Sequence, residues 1–533
     1  MVASEDRPTR AAARMSVATL ASRGVGFVKV WVIAAVLGTT YLGNTYQASS
    51  SVSNVLFELI AAGALSAVLV PTFVDLFRGG DDREAERLAS GVLGLALAVM
   101  AVVSLVGIVF AEPIARILSS SAPNAQVESQ QVALSAFFLR FFVPQVLLYA
   151  IGTVATAVLF AKRRFVIVAV APIANAIVLV ATMAIFHAMH GSDPSLDLTM
   201  GEKLVLAVGG TLGVVGFVAV PTVALLRSGF RLRATLGSVD RKLRRLLWLS
   251  AWVALQPDVA VLLGAALVMG NQVAGGVVAY QFCFVAFLAP YAILAQPIHT
   301  TILPELTVDV GNNDMEAFAG RLRWGLDGMA RLLLPVSAAY VALALPAMRV
   351  IAVGNSKGDA DLFAAALASL GVGLFTYGTF LFFARAMYAL GDSRTPAIIA
   401  GASALVGAGV MVAGGLAFDS DTAKVAALGL GHSAAYLLGT LVLGVVLRKR
   451  VGHGFFPHAF LPALAASAAL GGLAWLVEDL VDPSGRLADV LLLAAIGAIG
   501  LGLYLVLLRM LPKSGPRRGQ AFEPMDPDLA VEP

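Results

Sequence analysis

The chain has 533 residues, 59% of them hydrophobic and 13% charged, with a formal net charge of +4. Soluble domains carry about 25% charge, so a soluble core of this length is excluded and the bilayer is the solvent for most of the chain. The single cysteine, Cys283 inside an apolar run, excludes an intrachain disulfide and a cysteine-built zinc site.

Taken from the N-terminus, the apolar runs predict about fourteen transmembrane helices. The first six are 16–38, 49–77, 88–110, 131–160, 165–189 and 203–226. The next six are 245–269, 275–304, 319–345, 362–389, 395–417 and 423–447, followed by 456–477 and 487–509. Helices are expected because an isolated segment in hydrocarbon must close its own backbone hydrogen bonds. Barrel strands of about ten alternating residues are absent. The first run lacks a small-residue cleavage pattern and reads as a retained span.

The connections alternate in charge. Those on one side, with both termini, hold 27 of the 37 Lys and Arg residues, and those on the other side hold six. The positive-inside rule places both termini in the cytoplasm. Residues 1–15 then form a cytoplasmic N-terminus and 227–244 a basic cytoplasmic linker, expected either to lie on anionic headgroups or to be a plain topogenic loop. Residues 512–533, rich in Pro and charge, read as a disordered cytoplasmic tail.

An internal repeat organises the spans. GALSAVLVPTFVDLF at 63–77 and AQPIHTTILPELTVDV at 295–310 each carry a proline, Pro71 or Pro304, and then an aspartate, Asp75 or Asp309. Gly91 and Gly94 match Gly325 and Gly328, with offsets of 233 or 234 throughout. Six spans separate the copies, so they share an orientation, as in parallel transporter repeats. The expected fold is therefore an all-α polytopic membrane protein. A six-helix N-lobe covers 16–226 and a six-helix C-lobe covers 245–447, related by a pseudo-twofold along the membrane normal. Two C-terminal helices follow at 448–511.

Enzyme chemistry finds no residues. GNSKGD at 354–359 has the wrong spacing for a Walker A loop, and neither HExxH nor metal-spaced cysteines occur. HAMH at 187–190 reads as interfacial polar residues. No feature calls for nucleic acid. A carrier or flippase is the natural class, and its candidate residues are the polar ones inside the spans. Arg23 lies about seven residues into the first span, roughly 10 Å deep, and can snorkel to the headgroups. Lys29 lies about 20 Å deep, past the midplane of a core about 30 Å thick, and is expected to face water, a carboxylate or a ligand. Glu58 on the second span can neutralise Lys29 or share its function. Asp258 follows Gln256 and Pro257, and a proline-freed carbonyl beside a carboxylate can hold Na⁺ or a proton. Gln281 and His299 add polarity to the eighth span, with His299 between Pro297 and Pro304 suggesting a broken, cavity-lining helix.

RAMYALGDSRTP at 385–396, ASRGVGFVK at 21–29 and NVLFELIAAGALSAVLVP at 54–71 resemble the MurJ/MviN family of lipid II flippases, over about residues 17–450. The resemblance implies a bacterial inner-membrane carrier that moves an undecaprenyl-diphosphate-linked peptidoglycan precursor outward by alternating access. It implies no enzymatic cofactor, coupling to Na⁺, H⁺ or membrane potential, and contact with cell-wall synthesis proteins. The C-terminal helices would line a groove for the lipid tail. By position, Ser22, Arg23, Lys29 and Asn54, with Glu58 beside them, become the substrate-binding candidates. Asp258, Gln256, Gln281 and His299 become the ion-coupling or cavity candidates. Asn44, Arg385, Asp392 and Arg394 become gate or motif residues. The chain departs from the family pattern where Asn44 replaces an Asp, Ser53 a Pro, Phe57 and Glu58 basic residues, and Ala62 a Glu. A basic residue expected early in the eighth span is missing from 280–290. Relative to the family, the pattern has lost cations and gained a carboxylate. Transport of another polyprenyl-linked glycan or small molecule, and a non-transporting cell-wall scaffold, remain as alternatives.

Overall fold

Apolar chain in a bilayer must satisfy its backbone from within, and the computed structural model is helical over most of its described residues, with no strand among them. Those residues are 8–57, 63–235, 258–481 and 485–510. The first nine helices are α1 (Pro8–Leu37), α2 (Tyr41–Phe57), α3 (Gly63–Arg78), α4 (Asp82–Val109), α5 (Ala111–Ser119), α6 (Ala125–Phe142), α7 (Gln145–Ala161), α8 (Phe165–His190) and α9 (Met200–Arg227). Then come α10 (Asp258–Gly270), α11 (Gly276–Pro290), a π-helical turn (Tyr291–Ala295), α12 (Gln296–Gly311), α13 (Met315–Ala342), α14 (Ala344–Ile351), α15 (Ala360–Val372) and α16 (Leu374–Ala389). The last four are α17 (Arg394–Ala417), α18 (Asp421–Val451), α19 (Phe460–Val481) and α20 (Arg486–Met510).

Among the described residues nine helical stretches are long and apolar enough to cross a membrane, or eleven if two bent pairs are single spans. Fourteen were expected. The run 49–77 divides between α2 and α3, with 58–62 outside the described residues, and the first half of 245–269 also lies outside them. The bent pairs are α13 with α14, at 72°, and α15 with α16, at 43°. Large apolar side chains on the outer faces, such as Leu416 at 79% and Leu480 at 75% exposure, are unpaired with protein and suit lipid.

The internal repeat is written in helix boundaries. α3 and α12 are both 16 residues long and start 233 apart, and α4 and α13 are both 28 residues long at the same offset. The short helices α5 and α14 also start 233 apart. Equal lengths at a constant offset reproduce the periodicity of the proline and glycine pairs.

The chain divides into two compact units. The first comprises Met1–Ala289, Ala344–Leu370 and Ala400–Ala435, and the second Pro290–Leu343, Gly371–Ile399 and Tyr436–Pro533. In the first, Tyr46 meets Phe138 and Phe142 edge-on, each at 5.7 Å, which fixes α2 on α6. The end of α1 is tied to the segment after α14. Trp31 Nε1 donates to the Ile351 carbonyl at 2.7 Å, Asn355 Nδ2 to the Val36 carbonyl at 2.8 Å, and the Thr39 hydroxyl to Asp359. GNSKGD is thus a structural plug. Gly354, at φ +60°, lies against the Ala35 carbonyl, where any Cβ would collide.

Residues 228–235 of the basic linker do not lie free on a surface. They run along α4, with Arg231 N donating to Glu86 at 2.8 Å, and Arg233 N and Thr235 N to the Ser90 hydroxyl and carbonyl, each at 3.2 Å. Phe230 is 4% exposed, and the Lys162 ammonium sits 4.8 Å and 5.0 Å from the rings of Phe77 and Phe230. Backbone amides and an aromatic anchor bind this stretch to protein, while the side chains of Arg231 and Arg233 stay exposed. The rest of the linker lies outside the described residues. In the second unit, Asp327 of α13 accepts the Ala459 amide at 2.8 Å and Arg323 donates to the Gly454 carbonyl, which fixes the approach to α19.

Gly94 makes the strap possible, since a Cβ there would collide with the Thr235 backbone. Gly94→Val is expected to lift residues 228–235 from α4. Tryptic cleavage after Arg231 and Arg233, timed on the detergent-solubilised protein, should accelerate about tenfold or more, the equivalent of about 1.4 kcal/mol in local opening.

Candidate functional site

The candidate site is a cavity of about 260 Å³ in the first unit. α1 contributes Lys29, α2 contributes Gln47, Ser50, Ser51 and Asn54, α7 contributes Gln145 and Tyr149, α8 contributes Asn175, and α11 contributes Gln281. The α2 residues fall at i, i+3, i+4 and i+7, one face of a helix. Tyr46, Phe142 and Gly210 close one wall, where a Cβ on Gly210 would stand 2.8 Å from the Phe142 ring.

Hydrogen bonds set most of these side chains. Lys29 Nζ donates to Asn175 Oδ1 at 3.3 Å, and the Tyr149 hydroxyl donates to Asn54 Oδ1 at 2.9 Å. Gln281 Nε2 donates to the Ser51 hydroxyl at 2.8 Å. Gln145 Nε2 donates to Thr211 at 3.0 Å, and its oxygen accepts from Ser53 at 3.4 Å. Gly213 leaves room for Asn175, whose Nδ2 would be 3.0 Å from a Cβ there. Among the described lining residues Lys29 is the one cation, and none is a carboxylate. The arrangement can hold one phosphate oxygen at Lys29 and several neutral hydrogen-bonding groups around it.

Of the sequence-predicted substrate residues, the structure brings together Lys29 and Asn54. Ser22 is buried on α1 and Arg23 is exposed, away from the cavity lining. Glu58 and Gln256 lie outside the described residues, as does the side chain of Asp258, whose backbone opens α10. Gln281 lines the cavity and His299 does not. The cavity-lining expectation for His299 is corrected. It is fully buried in the second unit, stacked on Phe382 at 5.2 Å, with Tyr291 at 3.4 Å and the Met329 sulfur at 3.2 Å from its nitrogens. The helix is unbroken between Pro297 and Pro304, and the irregularity is instead a five-residue π-helical turn directly after Pro290.

The gate and motif residues separate. Asn44 is fully buried. Its Nδ2 donates to the Val273 carbonyl at 2.8 Å, its Oδ1 accepts the Val277 amide at 3.1 Å, and it reaches Asn271, which pairs reciprocally with Gln131 at 2.8 and 2.9 Å. Asn44 therefore clamps α2 to the turn between α10 and α11. In the second unit Arg385 has a buried Nη1 without a hydrogen-bond partner. Arg394 is exposed at the start of α17. Asp392 caps α17, accepting the Thr395 amide at 2.9 Å and hydroxyl at 2.6 Å, and pairs with Arg450 at 2.5 Å. His190 of HAMH pairs with Glu202 at 2.9 Å, within the capping box that Thr199 and Glu202 form at α9.

Sequence reasoning missed Gln47, Ser50, Ser51, Gln145, Tyr149 and Asn175. The spacing of the α2 group was a usable signal, because polar residues on one face of an apolar helix mark a cavity or a partner. Gln145, Tyr149 and Asn175 come from other helices, and no local pattern announces them.

A family model described as lipid II flippase MurJ matches residues 33–495. A probable lipid II flippase MurJ from Rhizobium tropici is 24% identical over 71% of this chain and 70% of its own length. A lipid II flippase MurJ from Burkholderia cenocepacia is 26% identical over 87% of this chain and 89% of its own. Among solved structures, a lipid II flippase MurJ in an inward closed conformation aligns with a TM-score of 0.73 at 17% identity, covering 93% of this chain and 98% of the other. An inward-facing multidrug transporter of the MATE family and MOP superfamily aligns at 0.64 with 14% identity, over 83% and 99%.

Burial raises the Asp392 carboxyl, but the Thr395 and Arg450 bonds outweigh that and hold it below the usual carboxylate range. A depressed folded value contributes stability above the unfolded value of about 3.9, and that contribution is lost as pH falls through the lower folded value. Asp392→Ala should therefore lower the thermal midpoint at pH 7, where a lost cap costs about 1 kcal/mol. The gap from wild type should narrow as the pH of the melt is lowered towards about 3.

Proposed function

The chain belongs to the lipid II flippase MurJ family of membrane transporters, and from that premise we propose that it moves an undecaprenyl-diphosphate-linked peptidoglycan precursor from the inner to the outer leaflet. The observation that carries the proposal is Lys29 in a polar cavity between apolar helices. An ammonium has three N–H groups, and Asn175 accepts one. The others are free for a phosphate oxygen, while the lipid tail stays in the bilayer. A non-transporting scaffold has no use for such a cavity.

Alternating access belongs to the same proposal. With both termini cytoplasmic, as the Lys and Arg distribution supports, the end of α1 tied by Trp31, Thr39 and Asn355 faces outward. Cargo would then load from the inner leaflet, and outward release would require those bonds and the Asn44 clamp to part. Coupling to Na⁺ or H⁺, with Asp258 as its carrier on sequence grounds, is part of the reading. An imposed Na⁺ gradient and an imposed pH gradient across proteoliposomes distinguish the two, since the coupled ion alone should raise the initial rate severalfold.

The decisive experiment expresses the chain in a bacterium depleted of its own lipid II flippase and measures lipid II accessible at the outer leaflet. Growth and outer-leaflet lipid II should both be restored. Lys29→Ala should lower transport at least tenfold with an unchanged yield of folded protein. Failure of the wild-type chain to restore either readout, at normal expression, overturns the proposal.

A further inference from the structure

Gln47 points to what the cavity recognises. It is 6% exposed and lines the cavity, yet among the described residues its carboxamide makes no hydrogen bond. Its neighbours Ser50 and Ser51 bond to its backbone carbonyl, not to its side chain. Neither of its polar atoms is among the buried unpaired ones of the described residues, so both open onto the cavity. The carboxamide bonds to no other described residue, so both of its ends are available to whatever fills the cavity.

Three other carboxamides are half-used. Asn54 and Asn175 each employ only the oxygen, and Gln281 only the nitrogen. Every carboxamide brings an acceptor oxygen together with two N–H donors. A sugar hydroxyl or an acetamido group both donates and accepts, so it can match such a wall. A phosphate only accepts: it suits the free N–H groups of Asn54 and Asn175, but the unbonded oxygens of Gln47 and Gln281 repel it. A site made for a diphosphate carries several cations. Here the described lining supplies Lys29 alone. The volume, about 260 Å³, falls just under the range of about 300–1,000 Å³ usual for small-molecule sites. It suits part of a headgroup and not the whole.

We infer that the cavity selects cargo through the neutral hydroxyl and amide groups of a glycan headgroup, with Gln47 and Gln281 as specificity-determining residues. Among the described lining residues, one lysine is left for the lipid phosphate. This rests on the flippase reading and adds which part of the cargo is read.

The test uses the full chain in lipid nanodiscs and two probes with the same tail and diphosphate, lipid II and bare undecaprenyl diphosphate. Wild-type protein should bind lipid II at least tenfold more tightly than the bare lipid. Gln47→Leu should bring that ratio near one while the Kd for the bare lipid stays within about twofold. Its thermal midpoint should hold, because the carboxamide has no internal bond to lose. Lys29→Ala should weaken both probes by the same factor. If Gln47→Leu does not fold, Gln281→Leu reads the same ratio. Equal affinity of the wild type for the two probes, or a ratio unchanged by both glutamine variants, overturns the inference and leaves the flippase reading standing. Binding of neither probe overturns both.

Discussion

A polar group placed inside an apolar helix bundle is costly unless it finds a partner within the protein or faces a polar cavity, and the first unit is organised by that constraint. Hydrocarbon offers no replacement bond, so an orphaned amide or carbonyl there costs several kcal/mol. Asn44 shows the solution. It meets a backbone carbonyl and a backbone amide in the turn between α10 and α11, and reaches the reciprocal Asn271–Gln131 pair. Removing its side chain would take away the partner of the Val277 amide and leave the Val273 carbonyl with the Gly276 amide alone. Helix α2 is thus held in register by polar bonds, and its polar face is positioned with it.

The same constraint sorts the polar residues by role. Asn44, Gln131, Asn271 and Gln145 have both ends of their side chains engaged, and they fix helices to one another. Gln47 has neither end engaged, and Gln281, Asn54 and Asn175 have one. All four line the cavity. A structural role consumes hydrogen-bonding capacity, and what remains unspent faces the space where cargo would sit.

The fold was legible in the sequence because the bilayer writes its demands as long apolar runs, and the repeat because proline and glycine recur where α3 and α4 match α12 and α13. The breaks were less legible. A two-residue break between Phe142 and Gln145, a π turn after Pro290 and a 72° corner after Ala342 depend on packing, and proline marks only some of them. The linker hid its attachment for a related reason. Its cations suggest a membrane surface, while the bonds that hold it come from backbone amides, to which Ser90 and Glu86 are the only clue. In the site, Lys29 stood out because depth makes a charge costly. Glutamine and serine cost less and drew no notice, although their spacing on α2 was in plain view. Gln145 and Asn175 join them only through tertiary packing.

The residues that carry the family resemblance and the residues that depart from it do different work. Within RAMYALGDSRTP, Asp392 and Thr395 cap α17, and Asp392 ties that cap to Arg450 near the end of α18. This is a joint, and any cargo could be carried by a protein that keeps it. The departures that the structure describes lie elsewhere. Asn44 is a clamp that binds by neutral hydrogen bonds where the family pattern has a carboxylate, and Ser53 bonds to Gln145 behind the cavity wall. Each replaces a charged or rigid residue by a neutral hydrogen-bonding one. The residues at the helix joint and the amides on the face of α2 are therefore separate sets, and a change in one need not disturb the other.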